Sequence, residues 1–195
     1  MIVRRFIVPV LAATMLVAAC KKDPPPPPAP TIDQDSLAAA QADSVRRVRE
    51  AEAAAAARDA AAREAARTRA VSAARATIEE MVFFDYDMSE IRDDAAAVLR
   101  RKVDVLRASP QVQLMIEGHA DDRGSTEYNL ALGNSRAEAI RAVLAGYGLS
   151  EARFNITSYG EERPLASGSN EGSWARNRRG QFVITAGANA INPPN

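Results

Sequence analysis

The sequence predicts an α/β domain of the α+β sandwich type at residues 81–186, preceded by a long alanine-rich helix. Between residues 38 and 76 the chain has 19 alanines and neither glycine nor proline, and alanine is the best helix former. From residue 77 onward, segments that alternate between apolar and polar residues are interleaved with segments of helical period. Strands and helices in this order predict a sheet packed on helices, with a core of its own.

The N-terminal residues 1–19 are predicted to be a signal peptide. Two arginines precede an apolar run that is too short to span a bilayer, and small residues follow it. The sequence VAAC at residues 17–20 is similar to the bacterial lipobox, which implies that Cys20 becomes the first mature residue and carries lipid. Cys20 is also the only cysteine, which excludes an internal disulfide. The lipobox resemblance implies a multiply acylated Cys20, and two or more acyl chains anchor a protein stably. By resemblance to sorted bacterial lipoproteins, Lys21 after the cysteine favours the outer membrane, facing the periplasm.

A linker and a helical spacer are predicted between this anchor and the domain. Residues 20–35 contain the sequence KKDPPPPPAP, which favours an extended polyproline II linker. The helix is predicted at residues 36–80, with Ser36 as its N-cap. It lacks a large apolar stripe, since its larger apolar residues between positions 38 and 77 are only Val45, Val48 and Val71. Two interpretations are open, a solvated arm about 65 Å long by the helical rise per residue and a weak alanine-based coiled coil, and we prefer the arm.

The elements of the domain follow one another in a regular order. The predicted strands are residues 81–86, 111–120, 153–160 and 178–186, and the predicted helices are residues 89–109 and 127–148. Ser89 is a candidate N-cap of the first helix, Pro110 ends it, and a glycine-rich segment ends the second. A loop is expected between the last two strands, and residues 187–195 are predicted to form a disordered tail.

Composition and motifs argue against several classes of function. The chain carries 25 basic and 25 acidic residues, so no positive field points to nucleic acid. It has no Gly-x-Ser-x-Gly elbow, and its single histidine, His119, with Asp121 or Asp122 falls short of a metal ligand set. We therefore expect no enzyme activity, no metal and no cofactor, and we expect His119 to be a hydrogen-bonded structural residue. Paired carboxylates for glycoside cleavage stay open as an alternative, although adjacent Asp121 and Asp122 usually point apart.

Four segments of the domain carry a family resemblance. They read VFFDYDMSEI, IEGHADDRGSTEYNLALGNSRAEAI, SYGEERP and NRRGQFVI, and they are long, ordered and correctly spaced. Together they resemble the C-terminal domain of outer-membrane protein A, the OmpA-like family, and within it the peptidoglycan-associated lipoprotein group. The resemblance covers residues 81–186. It implies a mixed β-sheet packed against helices, and non-covalent binding of the peptide stem of peptidoglycan at meso-diaminopimelate.

The resemblance also implies which residues form the ligand pocket. They are Phe84, Asp85, Asp121, Leu132 and Arg136, with Asn129, Asn177 and Arg178 as possible supporting residues. The chemistry agrees, because diaminopimelate ends in an ammonium and a carboxylate. Arg136 offers a planar fork of donors for the carboxylate, and Asp121 or Asp85 can accept from the ammonium. Leu132 lies one turn before Arg136 and can line the aliphatic part. On a surface helix, Arg136→Ala is expected to leave the domain folded.

The expected function is mechanical. The chain is predicted to be an outer-membrane lipoprotein that grips peptidoglycan through the domain and the membrane through Cys20, so that the two are tethered. The resemblance implies Tol-system proteins as possible further partners, with roles in envelope integrity and cell division. The alternative is a protein-interaction module of another envelope complex. The long helix departs from the short linker that is usual in the resembled group.

Overall fold

The computed structural model describes residues 33–194. The predicted signal peptide, Cys20 and most of the proline-rich linker therefore lie outside the described residues. The chain divides into two units after Glu52. The helices are α1 Gln34–Glu79, α2 Asp93–Ala108, α3 Thr126–Gly146 and α4 Glu171–Asn177, and the strands are β1 Val82–Phe83, β2 Gln113–His119, β3 Phe154–Gly160 and β4 Arg179–Ala186. No helix in residues 33–194 combines the length and the apolar character that crossing a membrane requires.

The described part of the first unit is almost entirely helical. Every residue from 33 to 52 is exposed, as expected of a helix without an apolar stripe. The helix begins two residues earlier than predicted. The Asp33 carboxylate accepts from the Asp35 N–H at 3.2 Å, and the Ser36 hydroxyl donates to the Asp33 carbonyl at 2.7 Å. Asp33 therefore stands at the helix start, in the place predicted for Ser36, and the linker ends before residue 35.

The second unit is built on one four-stranded sheet in the order β1-β4-β2-β3. Strand β2 runs parallel to β3 and antiparallel to β4, and β4 is antiparallel to β1. The sheet is therefore mixed, which confirms the predicted fold class. Because side chains alternate along a strand, Leu114 and Ile116 of β2 are fully buried while Met115 and Glu117 face the other way and are only partly buried.

Helices α2 and α3 supply most of the apolar side chains that cover the sheet. The buried residues of these helices include Leu99, Val103, Leu106, Ala137, Ile140 and Leu144. Helix α3 packs closely on β2 because glycines meet at the contact. A Cβ atom on Gly133 would lie 2.2 Å from Ser158 Oγ, and one on Gly118 would lie 1.8 Å from the Gly133 carbonyl oxygen. This contact brings the first half of α3 against the ends of β2 and β3.

The last turns of α1 belong to the core of the second unit. Ile78 is fully buried and Val71 is partly buried against the core. The predicted boundary at residues 80 and 81 is therefore wrong, because the core takes in the end of the predicted spacer. Alanine alone gives a helix no reason to pack, but Val71 and Ile78 lie seven residues apart and so on one face.

A buried lysine holds the end of α1. Lys102 of α2 has no exposed surface, and its Nζ donates to the carbonyls of Thr77 and Ile78, each at 2.8 Å, and to that of Glu80. Nζ also lies 4.0 Å from the centroid of the Phe182 ring. The carbonyls at a helix C-terminus have no partner within the helix, so Lys102 supplies one.

Several predicted boundaries are corrected by the structure. The first strand is short, because after Phe83 the chain leaves β4, and α2 starts at Asp93 instead of Ser89. The loop predicted between the last two strands contains α4, whose first turn is capped by the Asn170 side chain, which accepts from the Ser173 N–H at 3.1 Å.

The predicted disorder of residues 187–195 is also wrong for the first part of this tail. Residues Ala188–Ala190 form a short 3-10 helix, and Ile191 is buried in the core. The Asn192 N–H donates to Ser109 Oγ at 2.9 Å. One apolar residue in a polar segment gives little sequence signal, but burying it fixes the tail.

Candidate ligand-binding site

A pocket of about 110 Å³ opens beside the end of β2 and the first half of α3. Its lining residues are Tyr86, Asp87, Ala120, Asp121, Arg123, Gly124, Tyr128, Asn129, Leu132 and Arg136. They come from three segments, which are the loop after β1, the loop after β2, and α3. The pocket thus collects two carboxylates and two guanidinium groups around a small volume.

The loop after β2 is shaped by its own sequence. The Ala120 N–H donates to the Gly160 carbonyl at 2.8 Å, which extends the β2–β3 contact to the edge of the pocket. Gly124 then has a φ of 109°, a conformation that L side chains rarely adopt. Ser125 caps α3, since its side chain accepts from the Tyr128 N–H at 3.3 Å. The loop therefore turns sharply between Asp121 and the start of α3.

Arg136 forms the inner wall of the pocket and has no exposed surface. It donates to the carbonyls of Met88 (2.8 Å), His119 (2.7 Å) and Asp85 (3.1 Å), so it joins α3 to the loop after β1 and to the end of β2. A guanidinium has five N–H donors, so two remain beyond these three bonds. Burial lowers the pKa of Arg136 to about 10, which leaves it charged at neutral pH. The expectation that Arg136 lies on a surface helix is wrong.

Asp121 is buried beside Arg123 and Arg178. Its Oδ1 accepts from Arg123 Nε at 3.1 Å, and its Oδ2 accepts from Arg123 Nη2 at 2.7 Å and from Arg178 Nη1 at 3.2 Å. Although burial raises the pKa of Asp121, the hydrogen bonds from Arg123 and Arg178 outweigh it and hold the pKa below its ordinary value. Asp121 is therefore a carboxylate at neutral pH.

Asp87 is the second pocket carboxylate, and sequence reasoning missed it. It is exposed and has a φ of 55°, the left-handed region that aspartate tolerates better than most residues. The Tyr128 hydroxyl donates to its Oδ1. Its Oδ2 accepts no hydrogen bond from the described residues, so Asp87 offers a free acceptor to the pocket.

Two of the five residues predicted to form the pocket do not line it. Phe84 is buried in the core and packs under Arg136, whose Cζ lies 5.2 Å from the ring centroid. The exposed Asp85 side chain accepts from Arg92 Nη1 at 2.9 Å. The side chains at the pocket are those two positions further on, Tyr86 and Asp87. An aromatic–aspartate pair occurs twice in the sequence FDYD at residues 84–87. The family resemblance implies the first pair, but Phe84 is buried in the core and the second pair lines the pocket.

The remaining predicted residues divide into two groups. Leu132 lines the pocket, and so does Asn129, which donates to the Arg123 carbonyl at 3.3 Å. Asn177 instead holds the loop before α4, accepting from Leu165 N–H at 2.8 Å and Ala166 N–H at 2.9 Å. Arg178 reaches the pocket only through Asp121.

His119 is buried at the end of β2 and stacks on Tyr159, with ring centroids 5.6 Å apart. Neither ring nitrogen has a hydrogen-bond partner among the described residues, so the prediction of a hydrogen-bonded histidine is wrong. Burial, together with the guanidinium groups of Arg179 and Arg163, lowers its pKa to about 4. Within residues 33–194 no three metal-ligating side chains come together.

Comparison with known proteins identifies the domain. A family model described as the OmpA family matches residues 83–178. The crystal structure of the peptidoglycan-associated lipoprotein from Burkholderia pseudomallei is 41% identical, with a TM-score of 0.53, and the match covers 55% of this chain and 91% of that one. The chain belongs to the OmpA family. The C-terminal domain of Helicobacter pylori MotB, 21% identical with a TM-score of 0.52 over 56% of this chain and 87% of that one, shares the fold.

Curated relatives match the same region. The peptidoglycan-associated lipoprotein of Brucella melitensis is 45% identical over 107 residues, which is 55% of this chain and 64% of the relative. That of Pseudomonas aeruginosa is 44% identical over 97 residues, which is 50% of this chain and 57% of the relative. The match thus spans less than two thirds of these relatives.

Proposed function

We propose that this chain is a lipoprotein that binds peptidoglycan non-covalently and tethers the outer membrane to the cell wall. One observation carries the proposal, which is the small pocket where the carboxylates of Asp87 and Asp121 lie near the buried guanidinium of Arg136. A pocket of this composition suits a zwitterionic ligand. The free end of meso-diaminopimelate in the peptide stem of peptidoglycan is such a group, and relatives at 41–45% identity are named for their association with peptidoglycan.

The pocket suggests a division of roles among its residues. The ligand carboxylate is placed toward the spare N–H groups of Arg136, whose three bonds to backbone carbonyls fix the guanidinium plane. The ammonium is placed toward Asp87, which has a free oxygen, and toward Asp121. Leu132 and the Tyr86 ring cover the aliphatic chain between these groups. In this assignment Phe84 and Asp85 lie outside the pocket, and their side chains do not contact the ligand.

The proposal includes binding without cleavage. A glycosidase needs a carboxyl group whose raised pKa keeps it protonated as a general acid. Asp121 has the opposite property, since its hydrogen bonds to Arg123 and Arg178 lower its pKa. Asp122, its neighbour, accepts from Trp174 Nε1 at 2.5 Å. The two charged partners of Asp121 support a binding site over a hydrolytic one.

The anchoring half of the proposal rests on the N-terminal sequence. Residues 1–19 serve as a signal peptide, lipid on Cys20 holds the outer membrane, and the proline-rich segment with α1 forms the spacer. The finer roles, as a component of a Tol system acting in envelope integrity and cell division, extend the proposal by analogy with the peptidoglycan-associated lipoproteins. A protein-binding role is the second candidate, favoured by the exposed Tyr86, Met88 and Tyr128.

The test is sedimentation with purified sacculi. The mature chain carrying Cys20→Ser would be compared with Asp87→Asn and with the control Asp85→Asn, which changes a carboxylate outside the pocket. Hydrogen bonds to charged groups are worth enough that Asp87→Asn should weaken binding about tenfold or more, while Asp85→Asn should bind as the parent does. If the parent stays in solution, the wall-binding proposal fails and the protein-binding candidate takes its place. Release of soluble muropeptides would reveal a hydrolase instead.

A further inference from the structure

The pocket carboxylate Asp121 has no free acceptor position. Its Oδ1 accepts from the backbone N–H of Arg123 at 3.2 Å and from Arg123 Nε at 3.1 Å. Its Oδ2 accepts from Arg123 Nη2 at 2.7 Å and from Arg178 Nη1 at 3.2 Å. A carboxylate has about four lone-pair positions, two on each oxygen. An ammonium group can therefore bind Asp121 only if one of these donors leaves.

Arg178 is not the donor that leaves. Its side chain is 6% exposed, its Nε donates to the Phe84 carbonyl at 3.1 Å, and its Nη2 donates to Glu171 at 2.6 Å. If Arg178 moved, the carbonyl of buried Phe84 would lose this donor, and an unpartnered buried acceptor is costly. The exposed Glu171 carboxylate would lose an ion pair as well. Arg178 is thus a fixed counter-charge of Asp121.

Arg123 is held more loosely. Its side chain is 29% exposed, and it bonds through its fork to Asp121 alone, with Glu171 further away at 3.8 Å. Its Cζ lies 3.9 Å from the centroid of the Tyr86 ring and 4.2 Å from that of Trp174, so the guanidinium lies between two aromatic faces at the mouth of the pocket. A planar cation between two rings can slide outward while it keeps its aromatic contacts and reaches water.

We propose that Arg123 is a specificity-determining residue, which occupies on Asp121 the place that the ligand's ammonium takes when the ligand binds. This inference rests on the proposed function. A ligand must replace one charge-assisted pair by another, so it must carry a cation. A ligand whose amine is acylated has no charge to offer, and it would leave Asp121 with Arg178 as its only cationic partner. Arg123 therefore makes the site selective for a free amine.

The chain carries its own reporter for this exchange. Trp174 is the only tryptophan in the sequence, and its ring is in contact with Arg123. Movement of the guanidinium away from the indole should change the fluorescence of Trp174. Arg92 offers a matched control, because it is an exposed arginine that pairs with Asp85 and Asp94 and does not line the pocket.

The experiment titrates the unlipidated mature chain with a muropeptide monomer that carries meso-diaminopimelate. Calorimetry measures affinity, Trp174 fluorescence measures displacement, and the same monomer acetylated on its free amine tests the charge requirement. In the parent, binding should change the fluorescence, and acetylation should abolish binding. Arg123→Gln removes the competitor, and since a partly exposed ion pair is worth up to about 1 kcal/mol, affinity should rise up to about fivefold. Arg123→Gln should also lose the fluorescence change, and Arg92→Gln should behave as the parent does.

The outcomes separate this inference from the function on which it rests. If the parent does not bind the monomer, the proposed function fails and the inference fails with it. If the parent binds but folded Arg123→Gln binds more weakly, Arg123 contacts the ligand directly and the inference alone is wrong. Equal affinity with an unchanged fluorescence response overturns it as well. If Arg123→Gln does not fold, Arg123→Lys replaces it in the experiment. Lysine keeps the charge but lacks the two-pronged guanidinium that bonds Asp121, so the Arg123→Lys variant should also bind the ligand more tightly than the parent does.

Discussion

At the scale of single residues, Arg136 illustrates how one side chain can be both structural and functional. It has no exposed surface, and its guanidinium donates to three backbone carbonyls, two in the loop after β1 and one at the end of β2, yet it still lines the pocket. A charged side chain is tolerated in the core when hydrogen bonds compensate for its lost hydration. The bonds that make Arg136 tolerable in the core also fix its remaining donors in the pocket.

We therefore predict that Arg136→Ala destabilises the domain. The substitution leaves the carbonyls of Met88, His119 and Asp85 without a donor and opens a cavity beneath the pocket. The free energy of unfolding should fall by about 3–5 kcal/mol, as for other buried charged groups that are removed from their partners. Chemical denaturation of the parent and of Arg136→Ala measures this difference in the free energy of unfolding.

Arg141→Ala on the same helix is the control for Arg136→Ala. The Arg141 side chain is only partly buried and forms no hydrogen bond with the described residues, so its loss should cost less than about 1 kcal/mol. If Arg136→Ala were as stable as Arg141→Ala, the three carbonyl bonds would have no structural role. A loss of ligand binding in Arg136→Ala cannot be interpreted before this measurement is made.

The lining of the pocket is easier to predict from the sequence where residues lie on a helix than where they follow a strand. Leu132 and Arg136 are one turn apart in α3, and any helix places them together. After β1 the chain turns, and Asp87 adopts a positive φ that the sequence does not predict. A shift of two residues in this loop exchanges Asp85 for Asp87. The structure shows that Phe84 is buried in the core, while Tyr86 and Asp87 line the pocket.

At the scale of elements, the packing of α3 on β2 sets the position of the pocket wall. Gly133 meets Gly118 and Ser158 at a distance that only glycine permits. Leu132 precedes Gly133 directly, so any outward movement of α3 moves a pocket residue. A glycine in the middle of a helix costs helix stability, which the close contact with the sheet offsets.

We predict that Gly133→Ala destabilises the domain and weakens ligand binding together. Its Cβ would lie 2.2 Å from Ser158 Oγ and 2.8 Å from the Gly118 carbonyl oxygen, so α3 must move outward. The expected loss is about 1–3 kcal/mol of unfolding free energy, typical of overpacking. The matched control is Gly146→Ala in the same helix, where a Cβ would meet nothing within 4 Å. That variant should be neutral or slightly more stable, and an equal loss in both variants would refute the packing argument.

The junction between α1 and α2 depends on a second element-scale contact. Lys102 donates hydrogen bonds to the free carbonyls at the end of α1. Burial lowers the pKa of Lys102 to about 7. We predict that Lys102→Met loosens the last turn of α1, because these carbonyls lose their shared donor. Hydrogen exchange of residues 71–79 should become faster, with β2 unaffected. Arg101→Met, which removes the neighbouring exposed ion pair with Glu80, should leave this exchange nearly unchanged. Unchanged exchange in Lys102→Met would show that Ile78 alone holds the helix.

At the scale of the whole molecule, the predicted architecture is largely confirmed, and the errors share one cause. Hydrophobic period predicts strands interleaved with two main helices, the family resemblance implies a mixed sheet, and the structure has both. The sequence does not reveal contacts that rest on one residue, such as Ile191 holding the tail or Ile78 bringing α1 into the core. A single apolar side chain leaves no periodic pattern, yet burying it contributes about 1.5–3 kcal/mol.

Acid should destabilise the whole molecule because His119 is buried in the folded protein. The pKa of His119 is lowered from 6.5 to about 4, so the unfolded chain binds the proton more readily than the folded one, and stability falls as pH falls from about 6.5 to 4. The expected loss is about 3 kcal/mol. The groups near the ring are Arg163, Arg179, Glu117 and Tyr159. Lys102 changes charge near and above pH 7, outside this window.

Denaturation at pH 7 and at pH 4.5 measures the difference in stability, and His119→Phe, which keeps a ring against Tyr159, should remove most of that difference. If the variant loses stability as steeply as the parent, carboxylates and not His119 govern the acid response.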